Sequence, residues 1–435
     1  MRLIFVNRFF YPDHSATSQM LSDLAFGLAE KSLEIIIITS RLRYDDPKAS
    51  LPRRETANGV RIERIWTSRF GRDRLFFRAI DYLTFYLSVA RALAGTARRG
   101  DVIVAMTDPP AISVVAAFVA RWRGARIINW LQDVFPEVAE ALDVTTGPTS
   151  ILFSALRRLR NISLHWADMN VAIGELMARR VEALGVSSDR IVVLPNWADT
   201  DAIRPISAEI NSLRREWNLT SKFVVAYSGN LGRAHDIETL LEAITVTNER
   251  ARGDDRIHWL FVGGGALYKC LQRETRQRGC ANASFYPYQP RERLAESLSV
   301  ADIHIVSLKP SLEGLIVPSK FYGIAAAGRP ALFIGCPNGE ISRLINQFGC
   351  GAVIAMSDAE ALAKTVRLLA RDRKACTAMG ERAREMCGDN FSKKQAISTW
   401  YRLINSVARV NRIPSAPASK RRREGSPRSS PEQVG

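Results

Sequence analysis

The sequence predicts an α/β protein built from two doubly wound parallel-sheet domains in tandem. Runs of β-branched residues, such as residues 35–39 (IIIIT), are typical of strands buried on both faces of a sheet. Strands and helices alternate along most of the 435 residues, and the helices are long enough to be parallel crossovers. No low-complexity linker separates the two series, which favours a packed pair of domains with a cleft between them.

The first series occupies residues 1–205. It begins with a strand at residues 3–6, a polar loop at 11–18, a helix at 20–30 and the strand at 35–39, which together form a βαβ unit. Further strands are predicted at 102–106, 126–130, 169–173 and 191–194.

The second series occupies residues 206–412. Its strands are predicted at 224–227, 259–262, 302–306 and 331–334, and its helices include 237–250 and 320–327. Pro, Ser, Lys and Arg dominate residues 413–435 and nothing apolar recurs there, which predicts a disordered basic tail.

The composition is that of an ordinary globular protein, with 46% apolar, 24% charged and 8% aromatic residues. The six cysteines all follow residue 269 without a CxxC pair, and the five histidines form no HExxH pair. We therefore expect no disulfide scaffold and no structural zinc site. Neither domain carries a GxGxxG turn, so a nicotinamide enzyme is poorly supported.

The net charge of +17 favours an anionic partner, which could be nucleic acid, an anionic membrane or a phosphorylated substrate. The longest apolar run, residues 111–120, is about half of the ~20 residues that a membrane span requires. The first ten residues lack the separate apolar region of a signal peptide. We expect a cytoplasmic chain that touches a membrane without crossing it.

Candidate site residues lie in the loops after the strands, because α/β sheets bind ligands at the carboxyl ends of their strands. In the second domain, Gly229 and Gly232 would let the backbone approach a phosphate group, and the next helix would offer its positive end. Arg233 would add a charge-assisted contact. A tight turn between strand and helix explains the two glycines equally well.

A second loop, residues 313–323, follows the strand at 302–306. Ser319 suits a helix N-cap, and Lys320 in the first helical turn opposes the helix dipole, which indicates an anion nearby. Glu313 precedes them in the same loop. The alternative is a surface lysine that pairs with some carboxylate.

Two first-domain loops carry further candidates. Asp133 and Glu137 follow the strand at 126–130, where a base or a hydroxyl-binding group would belong. Ser15 and Thr17 open the first helix and would face the cleft. Helix capping is the alternative role of Asp133, Ser15 and Thr17.

An ordered set of motifs covers most of the chain: residues 10–12 (FYP), 194–201 (LPNWADTD), 227–232 (YSGNLG), 318–320 (PSK) and 327–330 (AGRP). This set resembles the retaining glycosyltransferases of family 4. It is most similar to the branch that makes bacterial surface polysaccharides such as colanic acid and O-antigen.

The resemblance implies the GT-B architecture, in which two Rossmann-like domains face each other across a cleft. It implies a nucleotide-sugar donor that is a co-substrate, bound mainly by the C-terminal domain, and no separate cofactor. The acceptor, a polyprenyl-diphosphate-linked saccharide, would lie mainly in the N-terminal domain. Basic groups would stabilise the leaving diphosphate without a metal, because preorganised positive charge lowers the barrier to its departure.

The chain departs from the family pattern at several positions. Asn230 and His235 stand where many members carry Arg and Lys, Gly323 stands at or near the Glu that holds the donor ribose, and Gln132 replaces a histidine. The residues predicted to carry the chemistry are Asp133, Arg233 and Lys320. The donor-binding residues predicted are Gly229, Asn230, Gly232, Glu313 and Ser319, and the acceptor-side residues are Ser15, Thr17 and Glu137.

Two stretches, residues 69–99 and 151–165, interleave arginines with apolar residues, as interfacial helices do. The first combines Arg72, Arg74, Arg78 and Arg91 with Phe70, Phe76, Phe77, Tyr82, Phe85 and Tyr86. The second combines Arg157, Arg158 and Arg160 with Leu152, Phe153 and Leu156. The alternative is a core-packed helix with a solvated basic side. We expect both to hold, with peripheral contact to the anionic inner face of the cytoplasmic membrane.

Three other functions compete with the transferase. A nucleic-acid binder would explain the charge, but no RRM, zinc or winged-helix pattern is present, so no nucleic-acid partner is expected. A degenerate sugar-nucleotide-binding or scaffold protein would explain the replacements at positions 230, 235 and 323. A GT-B epimerase would share the fold.

Overall fold

A computed structural model of the chain describes residues 1–44, 46, 49–70, 75–142, 150–249 and 256–409. These residues form two α/β domains, each with a largely parallel sheet between helices. The predicted fold class is therefore confirmed. The predicted basic tail at residues 413–435 lies outside the described residues.

The first domain has an eight-stranded sheet. In chain order its strands are β1 (Arg2–Val6), β2 (Glu34–Ser40), β3 (Arg54–Ala57), β4 (Val60–Ile65), β5 (Val102–Ala105), β6 (Arg126–Leu131), β7 (Met169–Ala172) and β8 (Ile191–Val193). Across the sheet they run β3-β4-β2-β1-β5-β6-β7-β8, and every neighbouring pair is parallel except the hairpin β3–β4. The helices are α1 (Ala16–Ala29), α2 (Leu75–Thr96), α3 (Ile112–Arg123), α4 (Glu137–Ala141), α5 (Ser150–Trp166) and α6 (Glu175–Ala183).

Helices cover both faces of this sheet, which explains its continuously apolar strands. In β1, Leu3 and Phe5 join the core on the α1 side, whereas Ile4 and Val6 join the core under α2 and α3. Helices α2 and α3 pack side by side, and α5 packs against α3. The three helices therefore form one continuous layer.

The second domain has a six-stranded sheet that is parallel throughout. Its strands are β9 (Phe223–Asn230), β10 (Ile257–Gly264), β11 (Ala283–Tyr286), β12 (Ile303–Ser307), β13 (Ala331–Ile334) and β14 (Gly351–Ile354). They run β11-β10-β9-β12-β13-β14, so the strand order reverses between β9 and β12. Such a reversal opens the crevice in which α/β sheets bind ligands. The helices are α7 (Ser212–Glu216), α8 (Glu238–Glu249), α9 (Tyr268–Gln277), α10 (Leu294–Ser299), α11 (Lys320–Ala326), α12 (Glu340–Phe348), α13 (Ala359–Arg371) and α14 (Arg373–Asn390).

The last described helix, α15 (Lys393–Arg409), returns to the first domain and packs against α1. Its Trp400 ring lies 4.8 Å from that of Trp130 in β6. The chain crosses between the domains twice, and the two crossings hydrogen-bond to each other where Ala198 N donates to Phe391 O at 3.0 Å. The sequence assigned the terminal helices to the second domain, but α15 lies on the first.

The two arginine-rich stretches are only partly on the surface. Phe85 and Phe153 lie in the core, and Arg160 is buried in an ion pair with Glu137. Phe85 and Phe153 therefore confirm the expected core packing, whereas the sequence was wrong to place Arg160 on a solvated basic side. Arg72 and Arg74 lie outside the described residues. Within the described part of the chain, no helix is long and apolar enough to span a bilayer.

Candidate active site at the interdomain cleft

The carboxyl ends of the two sheets meet across the cleft. Val134, just after β6, donates its N–H to the carbonyl of Leu315 at 3.0 Å. Asp133 and Ile316 form an isolated antiparallel bridge at the same place. The loop after β12 therefore touches the loop after β6, which brings two of the predicted site segments together.

The turn at residues 229–232 of the second domain, which we call the glycine turn, is more tightly packed than the sequence suggested. Strand β9 continues through Gly229 to Asn230, because it stays paired with β10 as far as Gly264. A Cβ on Gly263 would lie 2.2 Å from the carbonyl oxygen of Gly229, and Gly263 has a φ of +140°. The two glycine segments thus pack backbone against backbone. Gly232 follows the strand, where a Cβ would meet nothing closer than 3.5 Å.

Lys320 begins helix α11 and points back to this turn. Its Nζ donates a hydrogen bond to the Tyr227 hydroxyl and lies 3.8 Å from the centre of that ring. A Cβ on Gly229 would lie 3.7 Å from Lys320 Nζ. Burial lowers the pKa of Lys320 to about 7. Since no carboxylate among the described residues pairs with it, the surface ion-pair alternative is excluded for that part of the chain.

The other basic candidate lies apart from Lys320. Arg233 is exposed, and no contact within the described residues joins it to Lys320. His235 is half-buried, with Nδ1 2.7 Å from the Ser307 carbonyl oxygen. Burial and the nearby Lys320 charge lower the pKa of His235 to about 3, so it stays neutral at physiological pH. His235 therefore does not replace the basic residue found in many family 4 members.

The N-terminus of α8 has fewer free N–H groups than the sequence implied. The carboxylate of Asp236 accepts hydrogen bonds from the N–H groups of Glu238 and Thr239 at 3.1 and 3.2 Å. These two N–H groups would otherwise be free to meet an anion. The expectation that α8 offers free N–H groups to a phosphate is therefore wrong for this pair.

A pocket of about 360 Å³ opens beside the turn, at the carboxyl ends of β10 and β11. Its lining is Gly263, Gly264, Gly265, Tyr268, Lys269, Gln272, Phe285, Tyr286 and Pro287. The half-exposed Tyr288 ring covers Gly264, where a Cβ would lie 3.2 Å from it. The pocket therefore combines a glycine segment with an aromatic side formed by Tyr268, Phe285 and Tyr286.

Glu313 lies between the turn and the first domain. One of its carboxylate oxygens accepts the Glu340 N–H at 2.7 Å, which caps helix α12, and the other is buried without a partner among the described residues. Burial raises its pKa. Ser319 occupies the N-cap position of α11, but its side chain makes no capping hydrogen bond.

Glu340 joins the two domains and was missed by the sequence. Its Oε2 accepts the N–H of Leu176 in α6 at 3.1 Å, so a second-domain carboxylate sits at the N-terminus of a first-domain helix. The negative carboxylate interacts favourably with the positive end of the helix dipole. The two residues are 164 positions apart, so no local pattern could have indicated the contact.

Asp133 is the first-domain candidate with the most perturbed environment. Burial, with a smaller contribution from the Asp108 carboxylate, raises its pKa to about 7. Its Oδ1 is buried without a partner among the described residues. With Thr107 and Arg160 it lines a small cavity of about 20 Å³. Its side chain caps no helix, so the capping alternative does not hold.

The three acceptor-side candidates differ from one another. Ser15 precedes α1 with its hydroxyl buried and, within the described residues, unpaired. Thr17 is half-buried in the first turn. Neither caps the helix. Glu137 receives two hydrogen bonds from Arg160, at 2.6 and 3.1 Å, and this pairing occupies its carboxylate.

Two family models match the chain: the glycosyl transferase 4-like domain over residues 16–197 and glycosyl transferases group 1 over residues 209–386. Together they span both sheets except β1, and they include the loops after β6, β9, β10 and β12. The chain belongs to glycosyltransferase family 4.

Curated relatives agree with this family. WbjE of Pseudomonas aeruginosa, named as a glycosyltransferase, is 30% identical over 68% of this chain and 73% of its own length. WcaI of Escherichia coli K12, named for colanic acid biosynthesis, is 27% identical over 57% of this chain and 61% of its own length.

Solved structures agree with the two-domain fold. Sucrose-phosphate synthase from Thermosynechococcus elongatus has a TM-score of 0.74 at 15% identity, covering 94% of this chain and 99% of its own. Anabaena HepE in complex with UDP-glucose has a TM-score of 0.68 at 13% identity, covering 93% and 100%. Both therefore support the GT-B architecture of this family 4 glycosyltransferase.

The cleft of this glycosyltransferase holds the Lys320 ammonium, which has no ion pair in the described part of the chain, an aromatic pocket and the buried Asp133 carboxyl group with a pKa near 7. Tyr227 and Glu340 are the members that sequence reasoning missed. The sequence showed Tyr227 as the end of a strand and the first residue of the motif at 227–232, but it gave Tyr227 no role, because the contact with Lys320 joins residues 93 positions apart. No group of three His, Cys, Asp or Glu side chains in the described ranges could hold a metal ion.

Proposed function

We propose that this protein transfers a glycosyl group from a nucleotide sugar to a lipid-linked saccharide during surface polysaccharide biosynthesis, with retention of configuration and without a metal. The family supports glycosyl transfer. HepE was solved with UDP-glucose, which supports a nucleotide-sugar donor, and the name of WcaI supports a role in polysaccharide synthesis.

The single observation that carries the donor site is the Lys320 ammonium beside the glycine turn, which hydrogen-bonds to Tyr227 but has no carboxylate partner among the described residues. A buried cation without a carboxylate is costly, and a diphosphate would remove that cost. The pocket of about 360 Å³ suits the nucleoside, with its aromatic side next to the base. In this proposal Gly229, Asn230, Gly232 and Ser319 surround the diphosphate.

The reaction breaks the bond between the anomeric carbon and the diphosphate oxygen, and the electron pair leaves with the nucleoside diphosphate. Lys320 neutralises the charge that develops there, and Arg233 adds a second positive charge from the exposed side. Glu313 binds the sugar, because its second oxygen is buried and unpaired within the described residues.

The acceptor hydroxyl forms the new bond to the anomeric carbon and loses its proton. Asp133 accepts that proton in this proposal, since a carboxyl group with a pKa near 7 is well matched to this task at neutral pH. Ser15 and Thr17 contribute hydroxyl groups on the acceptor side, and Glu137 acts by holding Arg160 in place.

The lipid-linked acceptor would bring the enzyme to the inner face of the cytoplasmic membrane. The net charge of +17 supports an anionic membrane surface as a partner. No nucleic-acid partner is proposed.

The donor site is tested with a thermal-shift panel of sugar nucleotides on wild-type protein, Lys320→Met and the exposed control Lys364→Met. A sugar nucleotide at 100 times its Kd should stabilise the wild type by about 2.7 kcal/mol. The control should behave like the wild type, and Lys320→Met should lose most of the shift. Equal shifts in all three proteins would remove the assignment of Lys320.

Turnover is tested with the sugar nucleotide that binds and a polyprenyl-diphosphate saccharide. NMR of the anomeric proton in donor and product decides retention, and activity in excess chelator decides metal independence. Binding without release of nucleoside diphosphate for any acceptor would favour the degenerate sugar-nucleotide-binding protein instead.

A further inference from the structure

The outer side of the helix layer α2, α3 and α5 is unusually apolar. Phe118 and Trp122 of α3 are 65% and 67% exposed, and Leu87 of α2 is 65% exposed. The apolar side chains exposed on the layer are Phe76, Leu83 and Leu87 on α2, Phe118 and Trp122 on α3, and Leu159, Ile162 and Trp166 on α5. We call these eight residues the three-helix surface.

This exposure is not a consequence of poor packing underneath. Helix α2 places Phe85, Val89 and Leu93 in the core, at 0% exposure, while Leu83 and Leu87 point outward. Helices that are apolar on both sides are normally covered on both sides. A contiguous exposed apolar surface of this kind marks an interaction site.

The charge around the three-helix surface is of one sign. The three helices hold seven arginines, two in α2, two in α3 and three in α5, and one acidic residue, the buried Asp81. Two of the arginines pair with glutamates of α4. The other five make no ion pair with any described residue; they are Arg78, Arg91, Arg121, Arg123 and Arg158.

Two arginines lie over the exposed tryptophans. The Arg121 guanidinium is 5.5 Å from the Trp166 ring centre, and that of Arg123 is 5.6 Å from the Trp122 ring centre. Indole rings beside cationic groups are typical of protein surfaces at the boundary between lipid headgroups and acyl chains.

We infer that the three-helix surface docks on an anionic lipid bilayer, with Phe118 and Trp122 entering the headgroup boundary and the exposed Arg91, Arg121 and Arg158 meeting lipid phosphates. A second copy of the chain fits poorly, because a symmetric contact through this surface would bring arginines against arginines. The inference rests on the proposed function, whose lipid-linked acceptor requires the enzyme to reach a membrane, and it names the surface that does so.

Sedimentation with vesicles tests the inference, using phosphatidylcholine alone and phosphatidylcholine mixed with phosphatidylglycerol. The full chain should bind the mixed vesicles, and salt should release it. The double variant Phe118→Ser/Trp122→Ser should bind on the order of tenfold more weakly. The control Ile210→Ser/Leu368→Ser removes two equally exposed apolar side chains from the second domain and should bind as the wild type does.

Any one of three results would overturn the inference. The two double variants bind equally well, the wild type binds both kinds of vesicle equally well, or the wild type forms a dimer in solution that Phe118→Ser/Trp122→Ser abolishes. Sugar-nucleotide binding is measured on the same proteins. If it persists while vesicle binding is absent in the wild type, the docking surface fails and the donor site stands. If vesicle binding persists without sugar-nucleotide binding, the proposed function fails instead.

Discussion

Binding of the sugar nucleotide should draw a proton from solution onto Lys320. In the free protein, burial lowers the pKa of this ammonium to about 7 from its ordinary value of 10.5. A diphosphate beside Nζ favours the charged form and raises the pKa again. The esterified diphosphate of an intact sugar nucleotide has no proton to lose near neutral pH, so the uptake belongs to the protein.

The expected size of the effect follows from the pKa of about 7. At pH 8 about nine-tenths of the free protein holds Lys320 neutral, so binding should take up about 0.9 proton. At pH 6 the same calculation gives about 0.1 proton. Above pH 7 the Kd should rise about tenfold for each pH unit until the pKa of the complex is reached.

Calorimetric titration in buffers of different ionisation enthalpy measures the uptake directly. The Lys320→Met protein should show an uptake close to zero at pH 8, whereas Asp133→Asn should retain it, which separates the two groups whose pKa lies near 7. An uptake near zero in the wild type, or the same uptake in Lys320→Met, would refute the reasoning.

The same residue makes the stability of the free protein depend on pH. The folded pKa is depressed, so the unfolded chain binds more protons between about pH 7 and 10.5. The contribution of Lys320 to the free energy of unfolding should therefore become more favourable as pH rises through that window. Subtracting the pH profile of Lys320→Met from that of the wild type, both from urea denaturation, isolates this contribution. The difference should rise between about pH 7 and 10.5 and should be flat outside that window.

Three further substitutions should act on stability or domain closure. Gly263→Ala should lower the free energy of unfolding by about 2–4 kcal/mol in urea denaturation, because its Cβ would strike the Gly229 carbonyl; a wild-type midpoint would contradict this. Arg214→Met should lower it by about 3–5 kcal/mol, because buried Arg214 pairs with Asp302 and donates to three backbone carbonyls; calorimetric melting checks this. Glu340→Ala should enlarge the radius of gyration in X-ray scattering at unchanged circular dichroism, and an unchanged radius would show that other contacts hold the domains closed.

The strands buried on both faces could be predicted from sequence because their signal is local. The run at residues 35–39 is the centre of β2, where Ile35 to Ile38 are all nearly inaccessible. The hairpin β3–β4 was missed: the edge strand β3 (RETA) is short and has no apolar pattern, whereas β4 (VRIERI) has the alternation of a half-buried strand and could have been predicted. The end of β9 was missed for another reason: pairing with β10 carries it through glycine, which local propensity disfavours in strands.

The site could be predicted only as far as its segments. Loops at the carboxyl ends of strands were identified correctly, because the topology alone places them at the cleft. The contacts that define each side chain's environment join distant residues, as Lys320 with Tyr227 and Glu340 with Leu176 show. The exposure of Phe118 could not be predicted either, because the sequence of an apolar helix does not indicate which side will pack on the sheet.

The return of α15 to the first domain affects how the protein is made. The first-domain sheet is complete once Val193 has left the ribosome, but the helix that covers α1 begins 200 positions later, at Lys393. At typical translation rates this interval lasts about 10–40 s. During it, the apolar side of α1 and the ring of Trp130 lack the cover of Ile397 and Trp400. The nascent first domain therefore exposes this apolar surface until translation is nearly finished.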